Sequence, residues 1–454
     1  MLLGGRLMVP HRPGLLVHNA AEIATLAGGV RRGSAQSDVG LLASGETGGT
    51  GPHDPALAAY EGRIVAVGRL SHVEAQLTEM GIAESSIVRL DARGGTVTPG
   101  LIDPHTHLLF SGTRHAEVEM RQRGHGYLEI LAAGGGILQT VRMTRAASDD
   151  ELLDHGRRWL REMLSHGVTT IETKSGYGLD TSSELRLLEL AGRLGAEGPV
   201  EIVPTFLGAH AVAPEYRDTP NAAGAYLQSV IDEQLPAVID QGIAKSCDVF
   251  CERGVFGVSL ARRLLSAARD GGLDVRLHAD QIQPSGGAEL AADIGALSAD
   301  HLGRVTAEGI HALSRAADEG HPVVATLLPI ASFYLAEEHD APARSLIDAG
   351  IPVALGTDFN PGTSPAPNAQ LAMAFAVHRL RMSATESLAA MTINAAAALG
   401  IAASHGSLEV GKHADLAIWS VDSHALLPYW LGSDLVRTVV KRGHVAYSAE
   451  AMIR

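Results

Sequence analysis

Cysteine is nearly absent: Cys247 and Cys251 are the only two in 454 residues. Both lie in one strand-like run, KSCDVFCE, which offers neither a CxxC pair nor a disulfide framework, so buried thiols are expected. No apolar run approaches the roughly 20 residues needed to cross a bilayer, which excludes a helical membrane span. The first residues, MLLGGRLMVPHRPG, lack a continuous apolar segment followed by a small-residue cleavage site, so a cytoplasmic protein is expected. Cations are also scarce: 36 Lys and Arg stand against 51 Asp and Glu, a formal net charge of −15. No Lys/Arg-rich stripe offsets that charge, and phosphate binding needs clustered cations, which excludes a nucleic-acid partner. A small anionic ligand would have to be met by local positive charge.

Glycine, by contrast, is abundant at 51 residues, above the roughly 7% of average usage. Much of it follows apolar runs, as expected of loops arranged around a site. With 46% hydrophobic and 19% charged residues, the chain suits one large domain with a smaller companion. From about Thr96 onward, short β-type runs alternate with helical patterns. The runs are VTPGLIDPHTH (97–107), GVTTIETKS (167–175), VEIVPTFLGAH (200–210), AKSCDVFCE (244–252), LDVRLHAD (273–280), ALSADHLG (296–303), HPVVATLLP (321–329) and IPVALGTDFN (351–360). Between the first two, residues 149–166 place Leu152, Leu153, Trp159, Leu160, Met163 and Leu164 on one face. Ser148 with Glu151 gives that helix a capping box and Gly167 its stop, and Thr181 with Glu184 repeats the start signal.

Eight such strands, each followed by a helix, predict an α/β fold of the TIM-like (β/α)8 type over residues 97–404. An open doubly wound sheet would carry a GxGxxG after its first strand, and none is present. AAGGGILQT (132–140) has no Lys-Ser/Thr after it and reads as a loop. Hairpin-like segments at both ends, such as GRIVAVG, ADLAIWSV and RTVVKRGHVAYS, predict a small composite β domain of residues 1–96 plus 405–454. GSAQSDVGLLASGETGGTGPHD (33–54) reads as a flexible Gly-rich insertion within it.

Positions i and i+2 of a strand face the same side, so His105 and His107 can offer two imidazoles to one ion. His278 ends the fifth run, His301 the sixth and Asp358 the eighth, at the face where a barrel builds its site. Three imidazoles and a carboxylate suit Zn2+ or non-haem Fe with a position left for water. A bound divalent ion lowers the pKa of water to roughly 7, so hydrolysis is the chemistry implied. His301 is then either a fourth imidazole ligand or an unligated acid/base.

HTH (105–107), HADQ (278–281), ADHLG (299–303) and GTDFNPGTSP (356–365) together resemble the amidohydrolase superfamily. SGTRHAE (111–117), AAGGGI (132–137), TRAAS (144–148), ETKSGYGLD (172–180) and FLGAHAVAPEY (206–216) narrow the resemblance to metal-dependent cyclic amidases that open a propanoate-bearing imidazolone ring in histidine degradation. The resemblance runs from residue 95 to beyond 400. It implies one Zn2+ or Fe ion per subunit on His105, His107, His278 and Asp358, with His301 unligated beside it as a proton carrier. Asp358 is either a plain ligand or also a proton acceptor. The substrate is then a small molecule with no nucleic acid or membrane involved, and a homodimer is expected. By the same comparison Arg114 offers a guanidinium fork to the propanoate, Tyr177 and His210 bind ring and carboxylate, and Gln281 can hydrogen-bond the ring amide. Asn360, Gly362 and Thr363 form a turn whose side-chain and backbone N–H groups can meet carboxylate or amidine; Thr363 stands where the family often has Ser. Lys174 is not expected to bridge two ions, because SGYG follows it as in the mononuclear members. His115 and His125 are expected to be solvent or loop histidines.

Overall fold

A computed structural model of the chain describes residues 14–43, 54–124 and 135–452. Each of the eight expected runs contains one strand of a single parallel sheet. These are β1 (Leu101–Asp103), β2 (Val168–Lys174), β3 (Glu201–Ala209), β4 (Ser246–Cys251), β5 (Asp274–Ala279), β6 (Ser298–His301), β7 (Val324–Leu327) and β8 (Val353–Leu355). Neighbours pair in chain order from β1 to β8. The sheet closes just past its ends, where Asp358 N–H donates to His105 O at 3.0 Å and His107 N–H to Phe359 O at 2.9 Å. Thus the backbone that closes the barrel also carries three of the expected metal-site residues.

β2 is buried along its whole length, including Glu172 and Lys174, as expected of a parallel strand covered on both faces. Helices supply the outer cover. The helix Asp149–Ser165 has the predicted capping box of Ser148 and Glu151, and Gly167 follows its end at φ +88°. It buries Leu152, Leu153, Leu160, Met163 and Leu164. At Gly156 it meets the helix Thr181–Glu197 so closely that a Cβ would lie 2.4 Å from Leu194 Cδ1. The second start signal differs from expectation. Asp180 caps the helix Thr181–Glu197 by accepting Ser183 N–H at 2.8 Å, because a carboxylate stands one residue earlier in the chain. Glu184 turns away to the loop before the helix. AAGGGILQT also departs from the loop reading: its first three residues lie outside the described ones, but Ile137–Ala146 is a helix with Leu138 and Val141 buried.

The fold outside the barrel is composite. One six-stranded sheet runs in the order His444–Ser448, Val436–Lys441, Leu416–Trp419, Thr96–Pro99, Glu22–Ala24, Leu41–Ala43, so strands from both ends of the chain interleave. A four-stranded sheet is built from Arg63–Arg69, Pro55–Tyr60, Gly14–His18 and Ile87–Asp91. The run 97–107 therefore divides between two sheets. It turns at Gly100, where a Cβ would sit 2.3 Å from Thr169 Cγ2 on β2. Residues 33–43 are not loose as expected. They form a 3-10 turn (Gly33–Ser37) and the edge strand Leu41–Ala43. The turn is docked because buried Gln36 satisfies the β8 backbone, donating to Val353 O at 3.0 Å and accepting Val353 N–H at 3.2 Å. Residues 44–53 lie outside the described ones. Among the described residues no helix is long and apolar enough to cross a membrane. Cys247 and Cys251 are buried free thiols.

Candidate active site

The five residues expected at the strand ends converge at the C-terminal mouth of the barrel. Ring centroids are 4.6 Å apart for His105 and His278, 5.5 Å for His105 and His107, and 5.2 Å for His278 and His301. Asp358 Oδ1 lies 3.6 Å from His105 Nε2 and 3.5 Å from His107 Nε2. Ligand atoms of His105, His107 and His278 lie within 4.8 Å of one another, as do those of His105, His301 and Asp358. His301 (φ +76°) and Asp358 (φ +54°) both hold left-handed backbone conformations. Each costs about 1 kcal/mol or more in a non-glycine residue, strain that the closed barrel sustains at its mouth.

The hydrogen bonds on the far side of the imidazoles fix which nitrogens face the centre. His105 Nδ1 lies 2.6 Å from Asp300 Oδ2 and His278 Nδ1 3.1 Å from Asp248 Oδ1. A carboxylate at Nδ1 places the N–H there and leaves the lone pair on Nε2. His105 Nε2 is buried and has no hydrogen-bond partner among the described residues. Burial holds His105, His107 and His301 well below the usual imidazole range, so they are neutral donors of electron pairs. Burial also pushes the Asp358 carboxyl well up, as expected of an acid facing a dry site without a cation beside it. An orphaned lone pair, neutral imidazoles and an uncompensated carboxylate together fit a divalent metal ion.

Beneath this set lies a charge cluster that the sequence reading did not find. Lys174 Nζ is 2.7 Å from Asp248 Oδ2, 2.8 Å from Glu172 Oε1 and 3.8 Å from Asp300 Oδ2. Arg276 reaches Asp300 at 3.2 Å, Glu172 at 3.6 Å and the Pro104 carbonyl at 2.7 Å. All five side chains are buried. Burial disfavours the Lys174 ammonium, yet Asp248 and Glu172 outweigh it and keep its pKa above the ordinary value. The signal available in the sequence was spacing: Glu172 with Lys174, and Arg276 with His278, are i, i+2 pairs on barrel strands, so both members face inward.

Arg114 makes a two-pronged bond to Glu117, at 2.8 Å on each oxygen, and Glu117 also accepts Gly136 N–H at 2.7 Å. The guanidinium lies over Gly362, where a Cβ would be 2.0 Å from Arg114 Nη1. Tyr177 is buried with its ring 5.6 Å from that of His107. His210 stacks on His107 at 4.9 Å and 13°, with Nδ1 3.0 Å from Gly176 O, and burial lowers its pKa to about 3. Glu184 shapes this loop by accepting the N–H groups of Gly176, Gly178 and Leu179 at 2.8 to 2.9 Å. A Cβ at Gly178 would fall 2.7 Å from Glu184 N, so the loop needs glycine there. Gln281 and His301 line one cleft at the mouth. Asn360 differs from expectation: its Oδ1 takes the N–H groups of Gly362 and Thr363, each at 2.8 Å, and its Nδ2 bonds Asp358 O and Thr363 Oγ1. Those N–H groups are committed inside the turn, an Asx-type arrangement that supports Asp358. His115 begins a short helix and is exposed, while His125 lies outside the described residues.

The eight-stranded barrel, the donor set at its mouth and a match of residues 96–446 to the amidohydrolase family model identify the class: the chain belongs to the amidohydrolase family. Solved structures of similar fold include an adenosine deaminase from Xanthomonas campestris with bound zinc (TM-score 0.64, 18% identity, covering 95% of this chain and 92% of that one). Guanine deaminase from E. coli is another (TM-score 0.67, 16% identity, 96% and 99%). Closer relatives define the particular member. The imidazolonepropionase of Geobacillus kaustophilus (strain HTA426) is 46% identical over 95% of this chain and 97% of its own length. That of Alkaliphilus metalliredigens (strain QYMF) is 43% identical over 94% and 97%. Within the amidohydrolases the chain is thus a member of the imidazolonepropionase family.

Proposed function

We propose that this chain hydrolyses 4-imidazolone-5-propanoate to N-formimino-L-glutamate, a ring-opening step of histidine degradation. The observation that carries the reading is a metal-suited donor set next to a neutral, unligated-type His301, with Arg114 as a nearby cation for a carboxylate. Kinship at 41–46% identity with imidazolonepropionases supports the substrate. His105, His107, His278 and Asp358 would hold one zinc or iron ion. Such an ion, when bound, supplies Lewis acidity and water activated near neutral pH.

The chain's own residues do the rest. Arg114, already oriented by Glu117, meets the propanoate with charge-assisted bonds. Tyr177 and His210 flank the ring, and Gln281 faces the ring amide. A bond forms from water oxygen to the ring carbonyl carbon, and the ring carbon–nitrogen bond breaks. His301, neutral because it is buried, can carry a proton to the departing nitrogen. Asp358, whose carboxyl burial pushes up, is a second proton acceptor at the same centre. Cytoplasmic localisation and a homodimer belong to the same reading, the latter supported by the exposed run Tyr429, Trp430 and Leu431. Purified metal-loaded protein given freshly prepared imidazolone propanoate should release N-formimino-L-glutamate. Absence of turnover at full metal occupancy would sink the assignment.

A further inference from the structure

One carboxylate at the mouth has no part in the chemistry above. Gln281 after β5, His301 at the end of β6, and Ser332 and Glu337 after β7 line one small cleft at the mouth. A Cβ at Gly303 would lie 3.6 Å from Glu337 Oε2, so this carboxylate reaches over the backbone two residues past His301. Glu337 is half-buried, and among the described residues no hydrogen bond or ion pair engages its carboxylate. The charged groups that act on it are Arg304, Asp340 and Arg379. Asp340 and Arg379 are paired with each other at 3.1 Å. Arg304 makes no ion pair with Glu337 within 4.0 Å. Burial pushes the Glu337 carboxyl above its ordinary range, with Arg304 opposing. A partly dehydrated carboxylate that shares a cleft with His301 is costly to leave unpaired unless a ligand completes it.

We infer that Glu337 receives the amidine end of the ligand, making the Gln281–His301–Glu337 cleft a cation subsite that recognises the ring-opened product. The inference rests on the ring-opening reading above. Breaking the ring carbon–nitrogen bond frees a nitrogen that takes one proton, and the resulting formamidine takes another and is cationic at neutral pH. The ring before opening carries no such charge. Positive charge therefore develops at the end of the molecule remote from the propanoate, as the bond breaks. Arg114 sits on the β8–β1 side of the mouth and Glu337 on the arc from β5 to β7, with His301 between the cleft and the donor set. The product carries two carboxylates and one amidinium: Arg114 suits the propanoate, the carboxylate made from the ring carbonyl stays at the reacting centre, and Glu337 suits the amidinium. A charge partner engaged only as the bond breaks favours the transition state over the ground state.

N-formimino-L-glutamate and N-formyl-L-glutamate differ in carrying an amidinium or a neutral amide, so their affinities for the metal-loaded protein isolate this contact. Competition against turnover, or titration calorimetry, should show the formimino compound bound about 5- to 10-fold more tightly, as for a partly solvated charge pair. In Glu337→Gln that preference should fall to about one while the formyl affinity stays near wild type. A preference that survives in Glu337→Gln overturns the inference. So does equal binding of the two compounds by the wild-type protein, a result that requires no variant to fold. Failure of the ring-opening reading shows separately, as no turnover of imidazolone propanoate by the wild-type protein.

Discussion

Replacing Asp248 with Asn tests the charge cluster beneath the metal-suited donors. The side chain keeps its shape but loses its charge, 2.7 Å from the Lys174 ammonium and 3.1 Å from His278 Nδ1. Glu172, Asp248 and Asp300 against Lys174 and Arg276 give the cluster three negative and two positive charges; the variant leaves two of each. The more direct loss is local, because Lys174 keeps only Glu172 at close range, with Asp300 at 3.8 Å. Removing one partner of a fully buried pair typically costs about 3–5 kcal/mol. Unfolding entropy of about 2.1 cal/mol/K per residue over 454 residues gives roughly 1 kcal/mol/K, so Tm should fall by about 3–5 °C. The second loss is at His278, whose Nδ1–H would face an amide instead of a carboxylate. Weakening such an outer partner should lower metal affinity by about 10- to 100-fold. Thermal scans of metal-free protein measure the first effect and chelator competition the second. A variant with Tm within about 1 °C of wild type and unchanged metal affinity would refute both steps.

Arg114→Ala should raise KM for the propanoate-bearing substrate by about 10- to 100-fold with kcat less affected, and Arg114→Lys should restore little, because the bond is two-pronged. Gly362→Ala, whose new Cβ would sit 2.0 Å from Arg114 Nη1, should move KM in the same direction by displacing the guanidinium; an unchanged KM in both variants removes the clamp. His155, packed edge-on against Phe110 at 4.3 Å and with Nε2 unpartnered among the described residues, has its pKa lowered to about 4 by burial. A base depressed on folding contributes stability that is complete above its unfolded value of about 6.5 and is lost as pH falls toward 4. Allowing for partial exposure, urea titrations should show wild type losing about 1 kcal/mol more than His155→Leu between pH 7 and pH 5. Equal losses would show that burial does not hold His155 neutral in the folded protein.

The barrel was legible because short β-type runs recur eight times between helical patterns, and β1 to β8 each fall inside one. The donor set was legible for a related reason: strand ends are fixed by the same runs, so His278, His301 and Asp358 had nowhere else to point. The charge cluster was hidden by this very expectation, since Glu172, Asp248 and Arg276 read as interruptions of buried strands when they are inward-facing partners of Lys174, His278 and Asp300. Tertiary bonds account for the other differences. Composition marked residues 33–54 as loose, but Gln36 stitches the turn Gly33–Ser37 to Val353. Spacing marked Glu184 as a capping residue, but three loop N–H groups claim it. Asn360 folds its own turn through Gly362 and Thr363. None of these long-range or side-chain choices has a local period in the sequence.

The central claim is that one metal ion on His105, His107, His278 and Asp358 serves hydrolysis of imidazolone propanoate. Adding zinc or ferrous iron in steps to metal-stripped protein, and following loss of the substrate with release of N-formimino-L-glutamate, tests it directly. The account predicts no turnover in the stripped protein and a rate that climbs linearly to a plateau at about one ion per chain. Full activity without metal, or a plateau at about two ions, would contradict it.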